Sequence, residues 1–240
     1  MKDITAARIV GSLFLISTLS MIIGSGMIEE LWRATDYLTS ITENRSDMIL
    51  GALLKLVNSI AVVGIGVVMY PILKRYNETI AMAYLSSRVM EGIILAFGII
   101  SLLSLLTISR EYIKLETPDV AYFEMLGSMA INGNFRAFLF AMILLAIGSV
   151  MFCYLTYSAK LLPKSIAIWG VISYLILLVG LIATMFGYDI LMMSFIPGAF
   201  FEFGLPFWLF FKGFNTTPDD SCINSGSETG KTEDLKQALV

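Results

Sequence analysis

The sequence predicts an all-α membrane protein, a six-transmembrane-helix bundle with a disordered polar C-terminal tail. Three observations carry that prediction. Apolar residues fill 57% of the 240 positions and charged residues 15%, against about 25% charged in a soluble domain. The charges are clustered, which leaves uncharged runs at 9–28, 56–73, 92–109, 137–159 and 165–188, and a sixth at 190–211 interrupted only by Glu202. A helix rises about 1.5 Å per residue and the hydrocarbon core is about 30 Å thick, so a run of roughly 20 apolar residues spans it.

With their flanks, the predicted spans are 8–28, 48–73, 79–109, 135–159, 165–188 and 190–212, forming one domain over 1–212. The first follows Lys2 and Arg8 in the manner of a signal peptide, but it exceeds a typical apolar signal region and no small-x-small site precedes Glu29, so it is read as a retained helix. The links after the second and fourth spans are short and basic (Lys74 and Arg75; Lys160 and Lys164). The links after the first and third are long and acidic. In the second long link, Thr117, Pro118 and Asp119 read as a helix start, and Val120, Phe123, Met125, Leu126 and Met129 as a short interfacial helix ended by Asn132-Gly133-Asn134. Flanking Lys and Arg number seven on the side of the N-terminus (Lys2, Arg8, Lys74, Arg75, Lys160, Lys164, Lys212) and five on the other (Arg33, Arg45, Arg110, Lys114, Arg136), a bias that places both termini in the cytoplasm. From 213 on the composition turns to Thr, Pro, Asp, Ser, Asn and Gly, too polar to bury a core.

The net charge is -3; with two basic and five acidic residues from Gly213 on, 14 of each sign remain before the tail. No basic field for nucleic acid results. Histidine is absent, which removes the usual zinc and haem ligand and the usual general base. The two cysteines, Cys153 in an apolar run and Cys222 in the tail, are too few for a zinc or iron–sulfur cluster. Gly187-Tyr188-Asp189 shares two residues with intramembrane aspartyl proteases, but their Gly-x-Gly-Asp motif is absent and a lone carboxylate makes no dyad. No catalytic residues, metal ligands or cofactor are therefore expected, and the expected partners are membrane lipids and a small-molecule or ion ligand.

Four ionisable residues lie inside the spans: Lys55, Arg88, Glu91 and Glu202. Each would cost about 2.5 to 3.5 kcal/mol at mid-membrane, so each needs a protein partner or water. Arg88 and Glu91 are three apart and share a helix face, as do Lys55 and Asn58. Lys55 lies near the outer end of its helix and is expected to snorkel outward or to meet Glu29, Glu30 or Glu124. Glu202 precedes Pro206 by four residues, so its carbonyl loses its helical donor beside a carboxylate, a combination tolerated only within protein or beside a water-filled cavity. Arg88, Glu91 and Glu202 are expected to form one buried cluster. That cluster supports a binding or transport role; the alternatives are a structural or regulatory membrane protein in which it only locks packing, and last an intramembrane enzyme.

Several segments match a known family in order along the chain: Ala7-Arg8-Ile9-Val10-Gly11-Ser12-Leu13-Phe14-Leu15-Ile16, Ser87-Arg88-Val89-Met90-Glu91, Tyr154-Leu155 with Tyr157-Ser158 and Leu162-Pro163, and Trp208-Leu209-Phe210-Phe211-Lys212-Gly213-Phe214. In these pieces the chain resembles the bacterial multipass membrane proteins of the domain of unknown function 4386 family. The resemblance implies a small inner-membrane protein of about six helices and brings no activity or site residues with it.

Overall fold

Residues 3–117 and 119–214 are described by a computed structural model of the chain. They form seven helices: α1 Asp3–Trp32, α2 Tyr37–Glu43, α3 Arg45–Leu73, α4 Glu78–Lys114, α5 Val120–Ser158, α6 Lys164–Met185 and α7 Leu191–Phe211. All but α2 are long and apolar enough to cross a membrane. The chain is an all-helical, multipass membrane protein. Six crossings return the chain to its starting side, so Asp3 and Phe214 share one end, here the near end, with the links 74–77 and 159–163. The links 33–44, 115–119 and 186–190 lie at the far end. Of the predicted tail, 213–240, Gly213 and Phe214 belong to the bundle, and 215–240 lie outside the described residues.

The long helices pack in chain order, α1 on α3, α3 on α4, α4 on α5, α5 on α6 and α6 on α7, and α7 closes the ring against α1. Small residues set the close approaches. A Cβ added at Gly92 of α4 would lie 2.6 Å from Val63 Cγ2 of α3, and one at Gly66 of α3 would lie 2.9 Å from Arg88 Cβ of α4; such contacts are how apolar helices associate without a hydrophobic driving force. At the near end Gly213, at φ 71, terminates α7 and lets Phe214 fold back into the core.

The far end departs from the sequence-based expectation. There is no separate interfacial helix ended by Asn132-Gly133-Asn134: α5 runs unbroken for 39 residues, or about 58 Å. It begins at Val120, with the Asp119 carboxylate at the N-cap accepting from Tyr122 N. The three breaker residues are absorbed by local bonds and packing. Asn132 Nδ2 donates to the Ser128 carbonyl (2.8 Å), Gly133 faces Ser101 of α4, and Asn134 is buried against Gly98. The 37-residue α4 is almost as long, and it carries a second core of Leu102, Leu105 and Leu106 against Ile28, Leu38, Ile41 and Met48. The short α2, capped by Asp36, is the lid of that core.

Candidate functional site

Arg88 and Glu91 sit ten and thirteen residues into α4 from the near end, about 15 and 20 Å along the helix, and Glu202 lies nine residues from the near end of α7, about 14 Å. Counted from those helix ends, all three lie about half the depth of a core about 30 Å thick. Arg88 is 3% exposed and Glu91 1%. The Arg88 guanidinium donates to Glu91 Oε2 at 3.0 Å and, through Nε, to the Tyr84 hydroxyl at 3.1 Å, and it lies over the Phe14 and Tyr84 rings at 5.7 and 5.3 Å from their centroids. The guanidinium is thus paired on its edge and covered on its faces, a satisfied buried cation.

Glu202 keeps accessible surface and, among the described residues, has no Lys or Arg within 4 Å, although it feels the Arg88 charge. It faces a partly open cavity of about 240 Å³ lined by α1, α3, α4, α5 and α7, whose walls include Arg88, Glu91, Asn58, Ser17 and Phe138, with the exposed Ile22, Ala199 and Phe203 at its edge. Asn58 accepts from Ser17 Oγ at 2.6 Å, which fixes its amide at the cavity wall. The structure thus brings Arg88, Glu91, Glu202 and Asn58 to one place. Behind it, the buried hydroxyls of Tyr174 on α6 and Ser149 on α5 lie next to each other, and Tyr174 interacts with Glu202 and feels the Arg88 charge.

Lys55 does not snorkel outward. It is 7% exposed, and its ammonium reaches Asn134 Oδ1 of α5 at 3.4 Å. The reason is that α5 continues through Asn134 instead of ending there, which brings a carbonyl acceptor to the level of Lys55. Lys55, Asn58, Asn134, Met21 and Phe138 surround a constriction of about 10 Å³. Met21, Asn58 and Phe138 also line the cavity, whereas Lys55, Asn134, Met21 and Phe138 also line a wider vestibule of about 570 Å³ at the far end, with Glu29 and Asp189 on its walls. Vestibule, constriction and cavity form one column. Towards the near end the column stops at a dry plug of Val10, Ile65, Met69, Leu205 and Leu209, each at most 1% exposed.

The chain matches the family described as "Domain of unknown function (DUF4386)" over residues 9–213. It belongs to that family. No curated protein and no solved structure matches the chain. The matched region of this DUF4386 member contains all of the column and its plug. Asn134, Tyr174, Ser149 and Ser17 escape sequence reasoning because single polar residues in apolar helices do not reveal which face they occupy. For Asn134 a signal existed, an amide among apolar residues, but beside Gly133 it reads as a helix end.

Proposed function

We propose that the protein binds a small charged solute in the mid-membrane cavity and carries it across the bilayer, without catalysing a reaction on it. One observation carries the reading: Glu202, an ionisable group in a transmembrane helix, faces a cavity rather than a counter-ion. An intramembrane ionisable residue is expensive and is a functional-site hypothesis by default. The Arg88–Glu91 pair fits a supporting role, since a satisfied ion pair fixes the register of α4 and leaves Glu202 for the solute. A column open at the far end and plugged at the near end has the form of one state of an alternating-access carrier. The bias of Lys and Arg towards the near end supports an orientation with that end in the cytoplasm and the vestibule on the outer side of a bacterial inner membrane.

The test is water access. In a chain with Cys153 and Cys222 replaced by Ser, Ser17→Cys and Ala199→Cys are treated with a membrane-impermeant thiol reagent, with the lipid-facing Ile60→Cys as control. Both cavity positions should react from the vestibule side while position 60 stays inert; reaction no faster than at position 60 overturns the reading. A reporter active only outside the cytoplasm, fused after Val240, should stay silent, and a signal from it reverses the orientation.

A further inference from the structure

Among the described residues two opposite charges in the column, Lys55 and Glu202, have no oppositely charged group within 4 Å. Arg88 is the cation nearest in kind to Glu202, but its guanidinium is committed to Glu91 at 3.0 Å. Glu29 shares the vestibule with Lys55 and acts on it from beyond 4 Å, while its carboxylate makes an exposed pair with Arg33 at 3.1 Å. Among the described residues Lys55 has no carboxylate within 4 Å, and its one hydrogen bond is the long one to Asn134. Asn58, one helical turn deeper than Lys55 on α3, lines both the constriction of Lys55 and the cavity of Glu202. The column therefore holds an ammonium at its neck and a carboxylate in its chamber, with amide groups between them.

We infer that the solute is a small zwitterion, its cationic group on Glu202 and its anionic group on Lys55 with Asn58 and Asn134. This rests on the binding role proposed above. A solute with one charge would leave the other buried charge unanswered, whereas a zwitterion answers both. At roughly 30 Å³ per water, the cavity of 240 Å³ holds about eight waters, room for the cationic group and a short carbon chain, while the anionic group lies at the constriction where Lys55 and Asn58 meet. An ion pair between Lys55 and Glu202 themselves would close the column; the structure keeps them apart.

The experiment uses the full chain in lipid nanodiscs and a ruler of ligands: β-alanine, 4-aminobutyrate, 5-aminovalerate and 6-aminohexanoate, each beside the alkylamine and the carboxylate of matching length. Binding is read by calorimetry. One chain length should bind about tenfold or more tighter than its matched amine, since a hydrogen bond to a charged group is worth about 1.5–3 kcal/mol. Lys55→Met should remove that advantage and leave the amine unchanged, and Glu202→Gln should remove amine binding as well. Glu202→Asp retracts the carboxylate by one methylene, so the preferred ligand should lengthen by one carbon, a readout that a merely destabilised protein cannot produce. If amines bind as tightly as the amino acids at every length and Lys55→Met changes nothing, the zwitterion is overturned while a cation site at Glu202 stands. If positions 17 and 199 are inert to the thiol reagent and no member of the series binds, the binding role falls and takes the zwitterion with it.

Discussion

Removing Arg88 alone should damage the protein more than removing Arg88 together with Glu91. In Arg88→Leu the Glu91 carboxylate, 1% exposed, loses its one ion-pair partner among the described residues. Breaking a buried pair in this one-sided way costs about 3–5 kcal/mol, because a charge is left in a medium that cannot solvate it. In Arg88→Leu, Glu91→Leu the carboxylate that Arg88 paired is gone as well. Apart from the Arg88 charge felt by Glu202, the double variant loses the guanidinium contacts with Phe14 and Tyr84 and the bond to the Tyr84 hydroxyl, about 1–2 kcal/mol together. It should therefore be about 2–3 kcal/mol more stable than the single variant. Glu202 loses the Arg88 charge in both variants, so that loss cancels in the comparison, and its repulsion of an unpaired Glu91 adds to the cost of the single variant. The assay is reversible unfolding in mixed micelles followed by tryptophan fluorescence, with Glu91→Leu completing the cycle. If the two single effects sum to the double within about 0.5 kcal/mol, the residues are independent and the pair does not organise α4.

Gly148→Ala should destabilise by about 1–3 kcal/mol, because the new methyl meets Ser87 on α4 at the α4–α5 contact, whereas Gly26→Ala, with no atom within 4 Å of its Cβ, should stay within about 0.5 kcal/mol in the same unfolding assay. Tyr37 lies outside the spans and donates to the Glu124 carbonyl at 3.1 Å; burial first and the Glu124 carboxylate second push its phenol above the usual range near 10. The fold thus favours the protonated phenol, so its contribution is complete below about pH 10 and is lost as pH rises beyond it. Tyr37→Phe should remove about 0.5–1 kcal/mol at neutral pH and flatten that alkaline loss in a pH series of thermal midpoints. A chain ended after Phe214, which is 7% exposed and packs into the core, should insert and melt like the full chain; loss of helical circular dichroism on truncation would show that 215–240 contribute to folding.

The sequence by itself determined the helical class and the number of crossings, because crossing is decided segment by segment: each run of roughly 20 residues either compensates the transfer of its backbone and charges into hydrocarbon or does not. It also determined that Arg88 and Glu91 share a face, since three residues on one helix are a local spacing. The closure of α7 on α1, and with it the arrival of Glu202 in the chamber of Arg88 and Asn58, is a matter of tertiary packing. These helices are apolar all round, so periodicity does not distinguish the faces turned to lipid from those turned inward. Lys55 shows the same limit in one residue. Its depth alone predicts an outward reach, but the continuation of α5 past Asn132-Gly133-Asn134 supplies an amide at 3.4 Å. That continuation depended on Gly98 and Ser101 of α4 accepting the small residues of α5. Whether a glycine and two asparagines end a helix or bury it is decided by the neighbour they meet, because a buried backbone stays helical wherever its polar groups are satisfied and its side chains fit.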